Sequence, residues 1–233
     1  MLKWLRSPIA WRKTHKDVTQ LVNACQGRVH VGCNDVEVPG YVNIDVRQTR
    51  ATDIVHDCKD LSLFSSQSLT FIFSNAFFEH LYITERLPFL RDAARALGRD
   101  GWLAFTGLPD FEEVARAYLE RRKPGHVSAQ FDLYKVYRYT HGDPEGRPSW
   151  WLAQLHKGLL DLETTLQLVR DAGFPSGIVF RYCWGQEPYP VTFGFIAFKS
   201  PSEKKLLDSD IRDVLSGLPT NINWNSTRVL AEF

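Results

Sequence analysis

A glycine turn or a polar residue follows each of four successive β-type runs in the stretch 28–80, and this arrangement constrains the fold more than any other feature. In a doubly wound α/β domain the carboxyl ends of the parallel strands meet at one edge of the sheet, and the ligand binds there. One ligand with a charged tail, a ribose diol and a purine could therefore contact all four strand ends. These positions are Gly32, Asp45, Asp57 and the pair Glu79-His80, after runs at about 28–32, 41–46, 53–56 and 69–74.

Helix and strand patterns continue to alternate after residue 80. Apolar residues recur at helical spacing in two segments, and Asp161 and Gly173 are the expected cap and stop of the second. The last two strand patterns have few residues between them, so they should pair antiparallel. We therefore predict an α/β fold with a seven-stranded, mostly parallel sheet and an antiparallel last strand. The helices are predicted at 84–97 and 162–172, and the strands at 102–106, 178–183 and 192–198.

The composition of the chain limits the classes of protein to which it can belong. With 233 residues, 44% of them hydrophobic, the chain suits one folded domain, and its net charge of +1 gives no general attraction for nucleic acid. We find no run of about 18 apolar residues that would span a membrane. The cysteines show no C-x-x-C spacing, so we expect reduced thiols and a cytoplasmic location. They are Cys25, Cys33, Cys58 and Cys183.

The sequence divides into three predicted parts: a basic N-terminal segment and helix at 1–26, a main domain at 27–200, and a polar tail at 201–233. Residues 121–150 hold six Lys/Arg, three acids and five aromatic residues, and we predict that this insert covers the acceptor. The tryptophan-bearing N-terminus could at most touch a membrane surface, although packing on the domain or on a partner is the simpler expectation. The oligomeric state stays open, and a dimer is possible.

Six segments in this order resemble class I S-adenosylmethionine-dependent methyltransferases, and within them the small predicted methyltransferases linked to bacterial surface-polysaccharide and glycan genes. The resemblance runs from about Arg28 to Lys199. It implies a Rossmann-like methyltransferase fold, S-adenosylmethionine as cofactor, and a small-molecule or glycan acceptor. The segments are VHVGCN, PGYVNIDV, IVHD, SNAFFEHL, GLPDFEEVARAYL and LHKGLLDLETTLQLVRDAGF.

The resemblance also implies the cofactor-binding residues. The first turn would approach the cofactor closely, the acid after the second strand would bind the ribose hydroxyls, and the third and fourth strand ends would meet adenine and the methionine moiety. Asp45 could instead be a helix cap or a surface charge, and the fourth strand end could be ordinary strand termination. The predicted cofactor residues are Gly32, Cys33, Asn34, Asp45, Asp57, Cys58, Ser74 and Asn75.

The first turn departs from the family pattern in two ways. Gly32-Cys33-Asn34 replaces Gly-x-Gly, although asparagine also tolerates the left-handed conformation. Only twelve residues separate Gly32 from Asp45, where the usual crossover places the acid ~20 residues on. We therefore predict a shortened first crossover and a cofactor without phosphates.

Two residues are candidates for removing a proton from an acceptor hydroxyl. His156 matches the histidine of an HK segment in the resembling family, and Asp110 follows the fifth strand. His156 could instead cap a turn or bind Asp110, and Asp110 could form a capping box with Glu113. We predict no metal, since Asp110 and His156 lack distinctive ligand spacing. Adjacent helical residues point in different directions, which argues against Glu79-His80 as an acid–base pair, and the resemblance implies that this pair is architectural around the cofactor pocket.

These observations favour an O-methyltransferase acting on a hydroxyl of a glycan or sugar-containing acceptor. The alternatives are a non-catalytic binding or scaffold protein with a methyltransferase fold, motivated by Asn34, and a nicotinamide dehydrogenase, which would need a glycine-rich turn. Aromatic rings of the insert could stack on sugars, and its basic residues could hold phosphate or carboxylate groups. These residues are Phe131, Tyr134, Tyr137, Tyr139, Trp150, Trp151, Arg121, Arg122, Lys123 and Arg138.

Overall fold

The computed structural model describes residues 15–120, 131–143, 145–201 and 208–233. The basic segment 1–13 and the predicted acceptor residues Arg121, Arg122 and Lys123 lie outside them. The strands are β1 Arg28–Val31, β2 Val42–Asp45, β3 Ile54–Val55, β4 Leu69–Asn75, β5 Leu97–Pro109, β6 Ser176–Trp184, β7 Thr192–Phe198 and β8 Ile222–Glu232. The helices are α1 His15–Ala24, α2 Ile83–Ala96, α3 Phe111–Glu120, α4 Leu133–His141, α5 Leu162–Asp171 and α6 Asp208–Leu215, with 3-10 turns at Phe78–His80 and Ser149–Gln154.

The strands form one sheet in the order β3-β2-β1-β4-β5-β7-β6-β8. Strands β1 to β5 pair in parallel, and β7 runs antiparallel between β5 and β6. This order, with an antiparallel strand inserted near the end of a parallel sheet, confirms the predicted Rossmann-like methyltransferase fold.

Among the described residues the sheet has eight strands rather than the predicted seven. The additional strand, β8, comes from the C-terminal tail and pairs antiparallel with β6. Its residues are only half-buried or exposed, and the alternation of Ile222-Asn223-Trp224-Asn225 is broken by the polar residues 226–228, so the strand pattern in the sequence is short. The division of the chain at 26 and 200 stays a prediction.

Both faces of the sheet are buried. On one face, Ile72 and Phe105 pack with apolar residues of α1, α2 and α5. On the other, Phe71, Phe73 and Ala104 pack with α6. Successive side chains of a strand point to opposite faces, so a strand covered on both faces has a continuous apolar run, as β4 has at 71–73 and β5 at 102–105. This packing fixes the strand ends at which the polar residues stand.

The connection between β1 and β2 is short, as predicted. Residues 32–41, all described, form turns and no helix. Gly32 and Asn34 take left-handed backbone angles, with φ of 70° and 51°. Within the described residues, none of the helices reaches the length and apolarity that a membrane crossing needs.

One predicted helix cap is confirmed and one is wrong. The Asp161 carboxylate accepts a hydrogen bond from the Thr164 amide at the start of α5. The predicted capping box of Asp110 and Glu113 does not form, since both carboxylates turn to Arg181, at 2.6 Å and 3.0 Å. A charged partner on β6 thus replaces the local amide groups, which sequence spacing could not indicate.

Candidate functional site

Two cavities lie side by side at the carboxyl edge of the parallel strands. We call the first, of about 470 Å³, the carboxylate cavity; it is lined by Asp45, Asp57, Cys58 and Lys59. We call the second, of about 420 Å³, the histidine cavity; it is lined by Asn34, Asn75, Glu79, His156, Trp151 and Trp184. Gly32, Ala76, His80 and Gln154 line both, so the cavities adjoin there.

The first turn is held by the carboxylate of Asp45, whose side chain is nearly buried. One oxygen accepts from the Asn34 amide at 2.8 Å, and the other accepts from the Arg47 amide at 2.9 Å. The Arg47 guanidinium also donates to the Asn34 side-chain oxygen. A carboxylate has about four lone-pair positions, so the Asp45 carboxylate, which lines the cavity, can accept further hydrogen bonds. Asp45 thus organises the turn and can still bind a diol.

Close packing explains why the first turn begins with glycine. A Cβ on Gly32 would lie 3.1 Å from the Phe77 ring, and its positive φ disfavours other residues. The amides of Gly32 and Cys33 both donate to the Ile44 carbonyl oxygen, at 2.9 Å and 3.0 Å. Together with the Asn34 amide on Asp45, three successive N–H groups are satisfied internally. They are therefore unavailable to a pyrophosphate, which these turns bind in dinucleotide enzymes.

The structure brings Asp57 and Cys58 to the carboxylate cavity. Asp57 is half-exposed and lies 3.7 Å from the Lys59 amine. Cys58 is buried, and burial raises the pKa of its thiol to about 12; burial raises the pKa of Cys33, which lines the histidine cavity, to about 12 as well. Both thiols are therefore protonated at neutral pH and contribute to shape, not to nucleophilic chemistry.

The last two residues of β4 face opposite ways. Asn75 lines the histidine cavity, where its side-chain oxygen accepts from the Thr106 hydroxyl at 2.9 Å. Ser74 is buried behind the cavity wall and donates to the Val31 carbonyl oxygen at 2.8 Å, which ties β4 to β1. Of this predicted pair, only Asn75 reaches a cavity.

His156 and His80 meet at the floor of the histidine cavity, with ring centroids 5.4 Å apart. Nδ1 of His156 is 2.8 Å from the Tyr139 carbonyl oxygen, and Nδ1 of His80 is 3.2 Å from that of Leu155. A carbonyl oxygen only accepts, so each Nδ1 carries the proton and each Nε2 of the neutral ring carries a lone pair. Burial lowers the pKa of His156 to about 4, aided by His80, and burial also lowers that of His80.

Glu79 stands beside these imidazoles, and its side chain is almost completely buried. Its Oε1 lies 3.9 Å from Nε2 of His80, and Oε2 has no hydrogen-bond partner among the described residues. Burial raises the pKa of Glu79 to about 8, against an opposing effect of Arg86. The Arg86 guanidinium donates to the carbonyl oxygens of Leu159 and Gly158, at 2.8 Å and 2.9 Å.

Asp110 does not reach either cavity. Its side chain is wholly buried, and one oxygen binds the Arg181 guanidinium through Nε at 3.1 Å and Nη2 at 2.6 Å. A carboxylate enclosed in this way cannot contact an acceptor hydroxyl, so the prediction of a catalytic base at this position is corrected. The predicted hydrogen bond from His156 to Asp110 is also replaced, by the bond to Tyr139.

The aromatic residues of the insert divide between structural and cavity positions. Phe131 is buried and stacks on Tyr139 at 6.0 Å, beside Val114 of α3. Tyr134 and Tyr137 lie on α4, where they contact Asp143 and His141. The side chain of Trp150 lies outside the described residues. The insert residues that line the histidine cavity include Tyr139, Trp151, Arg138 and Arg147.

Sequence analysis missed several cavity residues. Trp184 stands at the carboxyl end of β6 and Thr192 begins β7 at the same edge, so the strand-end rule could have found both once the strand order was known. Gln154 lies in the wall between the cavities. It has no such signal, because its 3-10 turn reaches the edge only through tertiary packing.

Comparisons with known proteins add likeness of fold. No family model and no curated protein matches the chain. It is similar to a SAM-dependent methyltransferase from Archaeoglobus fulgidus at 12% identity and a TM-score of 0.49, over 81% of this chain and 96% of that one. It is similar to an S-adenosylmethionine-dependent methyltransferase from Mesorhizobium loti at 17% identity and a TM-score of 0.46, over 79% of this chain and 98% of that one. It is also similar to a 1,6-didemethyltoxoflavin-N1-methyltransferase from Burkholderia thailandensis at 11% identity and a TM-score of 0.47, over 80% of this chain and 78% of that one. Such low identities and scores carry no argument about cofactor or substrate.

Proposed function

We propose that the protein is an S-adenosylmethionine-dependent methyltransferase that methylates a hydroxyl of a glycan or sugar-containing acceptor. The observation that carries this proposal is the pair of adjoining cavities at the carboxyl edge, one holding Asp45 and the other the lone pair of His156. A cofactor that spans their junction would present its methyl group to an acceptor in the histidine cavity.

The cofactor assignment rests on the polar groups of the first cavity and the first turn. Asp45 would accept from the ribose hydroxyls, and Asp57 from the adenine amino group. The methionine moiety would lie near Gly32 and Asn75, where the cavities meet. Because the amides of the first turn are internally bonded, a nucleoside cofactor without phosphates fits better than a dinucleotide.

The reaction would be an in-line displacement. The carbon–sulfur bond breaks with its electron pair left on sulfur, and the methyl carbon forms a bond to the acceptor oxygen. The hydroxyl proton would pass to Nε2 of His156, which holds a lone pair because Nδ1 is bound to Tyr139. For Asp110 we propose only a positioning role, in which its ion pair with Arg181 holds the start of α3 against β6.

The acceptor class rests on the lining of the histidine cavity. Trp151, Trp184 and Tyr139 offer aromatic surface of the kind that stacks on sugar rings. Arg147 lies 4.8 Å from the centroid of the Trp151 ring, and Arg138 is anchored by Glu187 at 2.9 Å. These guanidinium groups would suit a phosphate or carboxylate on the acceptor.

Transfer of labelled methyl from S-adenosylmethionine to a panel of hydroxylated sugars and sugar phosphates tests the proposal. Wild-type protein should label an oxygen-linked methyl product, and His156→Ala should lower turnover by about 10²–10⁴-fold, the usual contribution of a general base. The control is His141→Ala, which removes an exposed histidine of α4. Equal turnover in His156→Ala and wild type would remove the assigned role.

A further inference from the structure

Glu79, His80 and His156 form a group with the donor composition of a metal site. One ligand atom of each lies within 4.8 Å of the others. Glu79 and His80 belong to the 3-10 turn after β4, and His156 follows the turn Ser149–Gln154. The Lys157 amide donates to the Glu79 carbonyl oxygen at 3.0 Å, which holds the two segments together. Two imidazoles and a carboxylate therefore converge on a rigid frame at the cavity floor.

Both histidines already form the hydrogen bonds that orient a histidine as a metal ligand. A metal-binding histidine usually donates its other ring N–H to a carbonyl oxygen or a carboxylate, which directs the lone pair to the ion. Nδ1 of His80 donates to Leu155 and Nδ1 of His156 donates to Tyr139. Nε2 of His156 is thus left with a lone pair as a ligand, and so is Nε2 of His80 in this tautomer, although the Ala76 backbone also interacts with the His80 ring. One such bond is common in proteins, whereas two on facing histidines beside a carboxylate are specific.

The carboxylate supplies an independent observation. Glu79 is 2% exposed, and its Oε2 has no hydrogen-bond partner among the described residues. A buried carboxyl oxygen without a partner carries the unfavourable cost of its lost hydration. The nearby guanidinium of Arg86 is directed to the carbonyl oxygens of Gly158 and Leu159. Oε2 of Glu79 is therefore a buried oxygen that could bind an ion, although the carboxyl group as a whole has a backbone hydrogen bond and the charge of Arg86 nearby.

We propose that Glu79, His80 and His156 bind a divalent transition-metal ion such as Zn²⁺ or Co²⁺. Two nitrogens and one oxygen suit these ions better than Mg²⁺, which prefers oxygen ligands. Bonds of about 2.0–2.2 Å place the ligand atoms roughly 3–3.5 Å apart. Small side-chain rotations would bring the three together from their present separations of at most 4.8 Å.

The position of the ion suggests its role, and this part rests on the proposed function. Three protein ligands leave coordination positions open, and these would face the histidine cavity, which all three residues line. An acceptor hydroxyl oxygen could bind there. With the ion bound, the lone pair of His156 would be held by the metal, so the direct proton transfer to His156 would apply only to the metal-free chain. The ion would instead acidify the bound hydroxyl, whose proton would pass to solvent as the oxygen attacks the methyl group. This proposal replaces the expectations that the protein binds no metal and that Glu79-His80 is architectural.

Calorimetric titration of the chelator-treated full chain with Zn²⁺, and separately with Co²⁺, tests the proposal. We expect one ion per chain with micromolar or tighter affinity, and at least about a tenfold loss in Glu79→Gln and in His156→Ala. His141→Ala and Cys25→Ser, outside the cluster, should bind as wild type does. Absence of stoichiometric binding, or equal affinity in wild type and both ligand variants, would overturn the proposal.

A crystallographic measurement keeps the test decisive if a ligand variant does not fold. Anomalous scattering from wild-type crystals soaked in Zn²⁺ should give a peak among the three ligand atoms, and a peak only at other residues would contradict the site. S-adenosylhomocysteine is titrated in parallel to separate the two proposals. Metal binding without S-adenosylhomocysteine binding would support the site and overturn the proposed function, and the reverse result would overturn the site alone.

Discussion

At the scale of single residues, Asp45 combines a structural role in the first turn with the proposed role in binding the cofactor. Its carboxylate accepts the amides of Asn34 and Arg47 and lines the carboxylate cavity. Asp45→Ala should weaken S-adenosylhomocysteine binding by about tenfold or more, since one hydrogen bond to a charged group is worth about 1.5–3 kcal/mol. Calorimetry measures this loss, with Asp60→Ala, an exposed carboxylate on the next turn, as control. Unchanged affinity in Asp45→Ala would remove the ribose assignment.

His30 gives a prediction for pH dependence. Burial lowers its pKa from 6.5 to about 4, and its Nδ1 bonds to the Asn43 side-chain oxygen at 3.1 Å. Below pH 6.5 the unfolded chain takes up a proton on this histidine that the folded chain does not. Protonation therefore favours the unfolded state, and the free energy of unfolding falls as the pH falls toward 4. Between pH 7 and 5, this residue should reduce the free energy of unfolding by about 2 kcal/mol.

Urea unfolding at both pH values measures this effect. His30→Gln should show a smaller loss between pH 7 and 5 than wild type, because the substituted residue does not titrate. His141→Gln, the same substitution at an exposed histidine, should behave as wild type. If the free energy of unfolding fell equally with pH in His30→Gln and in wild type, the lowered pKa assigned to His30 would be contradicted.

Single residues also show what the sequence could reveal about the site. Gly32, Asp45 and Asp57 were predictable because strand ends of a parallel sheet meet at one edge, and a strand end is visible in a sequence. The separation of Asn75 from Ser74 depends on which face of β4 each side chain takes. The pairing of Asp110 with Arg181 joins positions 71 residues apart, and local spacing carries no trace of it.

At the scale of secondary-structure elements, α3 is fastened to β6 by a buried ion-pair group. Arg181 binds both Asp110 and Glu113. Arg181→Leu would leave the wholly buried Asp110 without its counter-ion, and removing one partner of a buried pair costs about 3–5 kcal/mol. Urea unfolding should show this loss. The matched control is Arg116→Leu, which removes the exposed partner of Glu113 and should leave stability unchanged. Equal stability of Arg181→Leu and wild type would contradict the account.

Strand β8 shows why one element escaped prediction. It packs at the sheet edge, where Phe233 closes over Gly177 of β6, and a Cβ on Gly177 would come within 2.6 Å of the Phe233 ring. The residue that makes room for this C-terminal segment is therefore Gly177 in the neighbouring strand β6, and not a residue of β8 itself. By contrast, β4 and β5 were predictable as strands because burial on both faces gives each a continuous apolar run, at 71–73 and at 102–105.

At the scale of the whole molecule, fold and site differ in how far the sequence determines them. The order of the strands from β1 to β7, the short first crossover and the antiparallel pair of β6 and β7 all follow from local patterns and were predicted, whereas α4 and β8 were not. The histidine cavity assembles residues from β4, α4, β6 and the turn before α5. Its metal-type donor group could not be predicted, because Glu79 and His156 meet only after the chain has folded.

The most direct test of the central claim is calorimetric titration of the purified protein with S-adenosylhomocysteine, with and without NADH. Adjoining cavities with an internally bonded first turn predict micromolar binding of one molecule per chain, unaffected by NADH. Failure to bind S-adenosylhomocysteine, or displacement of it by NADH, would contradict the assignment of these cavities to a methyltransferase cofactor.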